Sequence, residues 1–262
     1  MKWRRIAITS LTAAIAMVMF GTTLPSEAAA PGVNPDVGWL RVIHASPDTP
    51  AIDIYLDTAT QPAIDNLAFG MATDFIGLPA RTYHVTLRPA GSAVTDKAIF
   101  SVDIELAGTQ SVNAVIEGLQ QANTFTLSRF DTDRSATNGQ VRLEAIDAVP
   151  DAPAVDIVAG GKPVLVSLSF GKATDKPLNL KPATYDLSVT PAGTISPAVI
   201  DLSGIKLDAD TIYTVILIGQ VRDQSMRTLV LMSRSPQTVA ALAADSVVVT
   251  APDPATSVPA AK

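Results

Sequence analysis

The chain has 262 residues, a formal net charge of −6 and no cysteine. This length allows one or two domains with their own cores. The acidic balance, without a cluster of Lys and Arg, argues against binding to nucleic acid or to an anionic membrane surface. The lack of cysteine excludes disulfides, thiol catalysis and cysteine-based metal sites.

Residues 1–30 have the pattern of a secretory signal peptide. A basic start at Met1–Arg5 precedes the apolar run Ile6–Phe20, and the small residues Ala28–Ala30 offer a cleavage site. We therefore predict an exported protein, extracellular or at the cell surface, with no membrane span after cleavage. An uncleaved anchor is the alternative, because the apolar run approaches the roughly 17–25 residues that cross a bilayer.

One sequence pattern occurs twice in the chain. The stretch Val42–Tyr55 (VIHASPDTPAIDIY) returns as Ala145–Ile157 (AIDAVPDAPAVDI). Two later blocks also return, Leu67–Asp74 as Leu168–Asp175 and Thr82–Gly91 as Thr184–Gly193. A period of about one hundred residues exceeds the roughly 20–50 residues of solenoid repeats. It is the size of a domain, so the pattern predicts two tandem domains.

Each copy reads as a series of short alternating strands, and no long helical period interrupts them. In the first copy they are Trp39–His44, Ala51–Asp57, Ile64–Phe69, Thr73–Leu78, Thr82–Arg88, Ile99–Leu106, Ser111–Ile116 and Thr124–Phe130. Seven or eight such strands, with turn signals roughly every 8–12 residues, are typical of an immunoglobulin-like β-sandwich. The predicted fold class is all-β, with two tandem β-sandwich domains.

The composition suggests where the parts begin and end. We expect a spacer at 31–38, a first sandwich at 39–130, a polar linker at 131–139 and a second sandwich at 140–235. A tail rich in Ala and Pro follows at 236–262. Within it, Leu242–Val249 has the composition of an added strand or short helix, and the last residues are expected to be disordered.

His44 and Asp147 occupy the same place in the two copies, at the end of the first strand and before a Pro-rich turn. His44 continues the apolar face of Leu40 and Val42 at period two. Since a sheet cannot satisfy the backbone groups of such a turn, we expect both side chains to hydrogen-bond it. A ligand-binding or catalytic role for His44 is the alternative.

Four aspartates also recur at equal positions: Asp48, Asp53, Asp151 and Asp156. We expect Asp48 and Asp151 to cap their turns, and Asp53 and Asp156 to lie on the solvent face of the next strand with Tyr55. A calcium site is the alternative, because carboxylate oxygens near a loop suit a hard cation. These aspartates, with His44 and Asp147, are the candidate binding residues. No catalytic residue, metal site or cofactor is predicted.

Two further motifs lack the arrangement of residues that a functional site needs. His44, Ser46 and Asp48 lie around one turn, where the mutual alignment of a catalytic triad is hard to achieve, and the second copy has Val149 at the Ser46 position. The linker begins like a calcium-binding EF-hand loop, but Arg142 stands where a bidentate Glu belongs. His84 is expected to be solvated or packed between domains, whereas Tyr83 and Tyr185 are expected in the core.

The segment Val42–Tyr55, with the block Leu67–Gly70 and the strand Thr82–Gly91, resembles the DUF4397 family, a bacterial domain of unknown function. The resemblance covers nearly all of residues 39–235 as two copies, and the second copy departs from the pattern at Asp147 and Val149. It implies an exported sandwich-like domain, often in tandem, with no assigned reaction. The strand ending in Thr82–Tyr83 also resembles transthyretin-like sandwiches, an analogy of fold alone.

Export, tandem domains and the lack of a catalytic motif favour a non-enzymatic secreted or cell-surface protein. We expect it to bind a cell-envelope polysaccharide or a surface protein through the loops at one sandwich end. A structural spacer without a ligand is a second hypothesis. A hydrolase that uses scattered carboxylates is a third, and a converging pair of Asp or Glu side chains with perturbed pKa values in a cleft would support it.

Overall fold

The computed structural model describes residues 34–236, so the predicted signal peptide and nearly all of the tail lie outside the described residues. All seventeen elements with both ends in this range are β-strands, which confirms the all-β prediction. The narrower prediction of an immunoglobulin-like or transthyretin-like topology stays a prediction.

The first copy forms eight strands in two four-stranded sheets. The strands are β1 (Val37–His44), β2 (Ile52–Leu56), β3 (Ile64–Leu67), β4 (Ile76–Pro79), β5 (Arg81–Pro89), β6 (Phe100–Leu106), β7 (Ser111–Glu117) and β8 (Thr126–Asp131). One sheet, named the inner sheet, has the order β4-β1-β7-β8, and the outer sheet has the order β3-β2-β5-β6. β1 and β7 run parallel, whereas the other neighbours are antiparallel.

The second copy repeats this plan. Its strands are β9 (Val141–Asp147), β10 (Val155–Ala159), β11 (Lys162–Leu168), β12 (Lys172–Ala173), β13 (Leu178–Leu180), β14 (Ala183–Pro191), β15 (Ile200–Leu207), β16 (Thr211–Ile218) and β17 (Arg227–Ser233). The inner sheet has the order β12-β9-β16-β17, with β13 also on β9, and the outer sheet has the order β11-β10-β14-β15. β9 and β16 are the parallel pair.

Alternation along the strands builds each core between the inner and outer sheets. In the first sandwich, Leu40 and Val42 of β1 face Ile52 and Ile54 of β2, and all four are buried. The predicted strand at 73–78 is shorter than expected, because the hydroxyl of Thr73 accepts the Val42 N–H and interrupts the ladder. Thr174 does the same to Ala145 in the second copy.

The two inner sheets pack against each other through their outward faces. A third buried cluster joins Ile43, Ala45 and Val115 of the first sandwich to Ile146, Ala148, Ile216 and Ile218 of the second. This cluster buries the second face of β1 and β9, where simple alternation predicts exposure. The two sandwiches therefore share a continuous apolar contact.

The Pro-rich turns at 45–51 and 148–154 lie at one end of each sandwich, which we call the turn end. Because β7 is parallel to β1, and β16 to β9, the loops 118–125 and 219–226 lie at the turn ends as well. The two turn ends are adjacent: the Arg227 guanidinium lies 4.7 Å from the Phe69 ring, and a Cβ added to Gly171 would lie 3.5 Å from Glu117 Oε1.

Candidate binding surface at the turn ends

Asp48 and Asp151 fix the loops beside the two Pro-rich turns. The carboxylate of Asp48 accepts hydrogen bonds from two successive backbone N–H groups at 120–121, at 2.9 and 3.0 Å. Asp151 accepts the same pair from 221–222, at 2.8 and 3.1 Å. These loop amides have no strand partner, so the carboxylate satisfies them. Each aspartate thus connects its Pro-rich turn to the neighbouring loop.

Asp53 and Asp156 tie together two further loops. The oxygens of Asp53 accept N–H groups from Asn66 and Gly91, at 2.7 and 2.8 Å, and Asp156 makes the equivalent bonds at 2.8 Å to residues 167 and 193. The expectation of a solvent-facing position was wrong, since Asp53 is 6% and Asp156 2% exposed. Tyr55 is also buried, beneath the guanidinium of Arg88. The loops fold over this face of the sheet because the carboxylates satisfy their amides.

His44 and Asp147 are fully buried at the start of the turns. His44 Nε2 lies 3.1 Å from the carbonyl oxygen of Pro50, and Asp147 Oδ1 accepts the Val149 N–H at 2.9 Å. Both side chains therefore hydrogen-bond the turn backbone, the contact expected from the sequence. Burial lowers the pKa of His44, and the hydrogen bond to Pro50 opposes that shift. The neutral imidazole is thus favoured.

Ser46 is engaged by the turn and not by an imidazole. Its hydroxyl donates to the Gly118 carbonyl at 2.8 Å and lies 2.8 Å from the Thr49 hydroxyl. The ring of His44 instead contacts Pro50 and the edge of Phe69. His44, Ser46 and Asp48 are therefore close in sequence but are not aligned for nucleophilic attack.

A polar layer lies beside the apolar contact between the inner sheets, and Glu144 is at its centre. Glu144 Oε1 accepts hydrogen bonds from the hydroxyls of Thr132, at 3.0 Å, and Thr214, at 2.7 Å. Burial raises the pKa of Glu144, while these hydrogen bonds and the charge of Arg41 oppose the rise. Burial also lowers the pKa of Arg41 to about 10. The layer thus places the Glu144 carboxyl group near the Arg41 guanidinium, between the two sandwiches.

Two further carboxyl groups meet near the turn ends of the same interface. Glu117 is 1% exposed and accepts a 2.5 Å hydrogen bond from the Ser128 hydroxyl. Burial raises the pKa of Glu117 to about 7, and the charge of Asp147 adds to the rise. Burial likewise raises the pKa of Asp147 to about 6, so Asp147 ionises first and opposes the ionisation of Glu117. Both carboxyl groups are buried, Glu117 beside the interface and Asp147 against its own Pro-rich turn.

The linker wraps around the guanidinium of Arg142. Arg142 Nη1 donates to the carbonyl oxygens of Asp133 and Ser135, at 2.8 and 3.0 Å. It also lies 3.2 Å from the Asp133 carboxylate. The oxygens of this linker, which resembles the start of an EF-hand loop, therefore accept hydrogen bonds from an arginine. His84, by contrast, pairs with Asp103 at 2.7 Å on the exposed outer sheet, and Tyr83 is buried in the core.

The turn end of the second sandwich contains an apolar cleft of about 280 Å³. It lies between the Pro-rich turn and the loops after β14 and β16, and is lined by Ala152, Pro153, Val155, Pro191, Val199, Val221, Gln224 and Met226. At the equivalent corner of the first sandwich, Phe100 and Phe125 pack edge to face at 5.8 Å. Ile200 and Met226 replace this aromatic pair in the second copy, which leaves the corner open.

Exposed large apolar side chains concentrate on the same end of the molecule. Five of them lie on turn-end loops, namely Met71, Val94, Ile195, Val199 and Val221, with exposures from 37% to 58%. The candidate residues chosen from the sequence were charged or polar, so this apolar surface was not predicted. A comparison of the two copies could have indicated it, because Phe100 and Phe125 of the first copy are replaced by Ile200 and Met226 in the second.

Two other kinds of site are absent from residues 34–236. No group of three or more His, Asp or Glu side chains there is arranged to hold a metal ion. In the same range, no helix is long and apolar enough to cross a membrane.

The sequence profile of DUF4397, described as a domain of unknown function, matches residues 38–156 and again residues 142–255. The chain belongs to this family. The two matches overlap over 142–156, which is β9 with its Pro-rich turn. The first match therefore begins with one opening strand and turn and ends after the next one. No match was found among curated proteins.

Several solved structures show a distant likeness to this DUF4397 chain. A "putative cell adhesion protein" from Bacteroides uniformis is 14% identical, with a TM-score of 0.24, over 76% of this chain and 97% of that one. The Bacillus anthracis TIE protein is 16% identical, with a TM-score of 0.20, over 71% and 34%. The pilus adhesin SpaC of Lactobacillus rhamnosus is 12% identical, with a TM-score of 0.17, over 70% and 31%. TM-scores this low do not establish a common fold.

Proposed function

We propose that the protein is a non-enzymatic binding module, exported to the cell surface or released, that uses its adjacent turn ends to bind a component of the cell envelope. The observation that carries the proposal is the open apolar cleft of about 280 Å³ at the turn end of the second sandwich. Contiguous exposed apolar surface in an otherwise well-packed protein marks an interaction site more often than chance.

The arrangement of the sandwiches supports the proposal. The buried contact between the inner sheets holds both turn ends on one side of the molecule, and the four aspartates brace their loops. A braced surface loses little conformational entropy on binding. Since seven of the eight side chains that line the cleft are apolar, a surface protein fits it better than a polysaccharide, which is the other outcome of the test.

The carboxyl groups with raised pKa values do not support a hydrolase. Glu117 and Asp147 are 1% and 0% exposed, so a substrate has no access to either carboxyl group. The rigid pairing of two sandwiches does favour one other function, a spacer that separates other components without a ligand.

A pull-down distinguishes binding from spacing. Residues 31–262 are incubated with cell-envelope fractions and with purified polysaccharides, in calcium and in chelator. Saturable retention is expected, and Val221→Asp at the cleft should abolish it. Val166→Asp is the matched control, because Val166 is an exposed valine on β11, outside the cleft. Retention lost in chelator would identify a metal-dependent site, and no retention under any condition would favour the spacer.

A further inference from the structure

The last strand of the second sandwich, β17, has an unusually apolar free edge. Among residues 34–236, β17 pairs only with β16. All eight residues of β16 are buried, whereas every residue of β17 is at least partly exposed. Met232 on β17 is 67% exposed.

The equivalent edge of the first sandwich carries charges. On β8, Arg129 and Asp131 form an ion pair at 2.9 Å, and the strand register places Val230 and Met232 of β17 at these two positions. Charged side chains on an edge strand discourage the pairing of a further strand, and an apolar edge permits it. The two copies thus differ at the positions that decide whether an edge is blocked.

A candidate strand follows β17 in the same chain. The sequence Val247–Thr250 is a run of β-branched residues, followed by Ala-Pro-Asp-Pro-Ala at 251–255. This order repeats the opening strand and turn, with Pro252 in nearly even spacing after Pro47 and Pro150. The second family match also extends to residue 255. The chain therefore carries a third copy of the motif that begins each sandwich.

We propose that the segment 246–250 adds to the free edge of β17 as an antiparallel strand of the second inner sheet. β9 packs its outward face on the inner sheet of the first sandwich. The segment 246–250 cannot pack on the second sandwich in the same way, because the outward face of the second inner sheet is already buried against the first inner sheet. Among residues 34–236, the edge of β17 that faces away from β16 has no strand partner. The connection at 234–245 spans up to about 40 Å when extended, which exceeds the roughly 24 Å length of a seven-residue strand.

Backbone amide exchange of the full chain tests this pairing. Proline cannot donate to a ladder, so Val248→Pro should increase the exchange of outward-facing β17 amides at least 10-fold, and lower the melting temperature by about 3 °C. Val258→Pro, the same change ten residues later, should leave both unchanged. Equal β17 exchange in the parent chain and both variants would refute the proposal.

Cysteine cross-linking gives a second, independent readout, because the chain has no cysteine of its own. Met232→Cys combined with Val247→Cys, Val248→Cys or Val249→Cys should give an intramolecular disulfide in at least one pair. No disulfide in any pair would count against the proposal. Disulfides only between chains, together with β17 protection that is lost on dilution, would instead show that a second copy of the chain occupies the edge.

Discussion

Glu117→Gln should remove a large share of the dependence of stability on pH between pH 5 and pH 8.5, and the remainder includes the ionisation of Asp147, whose pKa is raised to about 6. The Glu117 side chain is buried between the sandwiches, with its Oε2 unpartnered among the described residues. Its pKa is raised from 4.5 to about 7. An acid whose pKa is raised by folding destabilises the native state when it is ionised, so the cost is absent below pH 4.5 and complete above pH 7.

The size of the effect follows from the shift. Each pKa unit corresponds to 1.36 kcal/mol, so a rise of this size costs about 3 kcal/mol at pH 8.5. Glutamine is neutral at every pH, and its carbonyl oxygen can still accept the hydrogen bond of the Ser128 hydroxyl. Roughly 0.8 kcal/mol of this cost is already present at pH 5, so between pH 5 and pH 8.5 the parent should lose about 2.5 kcal/mol more stability than the variant.

Urea unfolding at pH 5, 7 and 8.5, followed by circular dichroism, measures this difference. Glu105→Gln is the matched control, because Glu105 is exposed on the outer sheet. An identical pH slope in Glu117→Gln and the parent would refute the argument that Glu117 is buried without a compensating partner.

Three further substitutions test other parts of the structure. His44→Ala should lower the free energy of unfolding by about 2–4 kcal/mol through a cavity and a lost turn contact, while envelope retention persists; unchanged melting with lost retention would overturn this. Asp53→Ala leaves two loop amides unpaired and should cost about 2–4 kcal/mol in urea unfolding, more than Asp53→Asn, which keeps one acceptor. Arg142→Met should speed proteolysis within the linker, read by mass spectrometry, whereas Arg222→Met, an exposed control, should not.

Period-two alternation was sufficient to predict the strands and the cores. Leu40 and Val42 pointed to the buried face of β1, and the Pro-rich segment after His44 predicted the turn. These features are local, because alternation and proline geometry act over a few residues. The register of the repeat also showed that both copies share one fold.

The interface between the sandwiches could not be derived in the same way. Ile43 and Ile146 on the second face of β1 and β9 resemble ordinary exposed aliphatic residues until a partner surface is known. The same holds for Asp53, whose burial depends on loops that fold over it from 13 and 38 residues away in sequence. The cleft at Val221 depends on what is missing from a corner, which a single copy does not show.

The charges across the interface also bear on how the two copies came to differ. Arg41 and Glu144 hold the same place in the repeat, three residues before His44 and Asp147, and they attract each other. In a symmetric dimer of identical copies, equivalent residues near the axis meet their own kind, so arginine would oppose arginine. Once duplication had joined two copies in one chain, each could take the opposite charge. A pairing of either half with its own duplicate would set arginine against arginine or glutamate against glutamate at this position, which disfavours such a pairing.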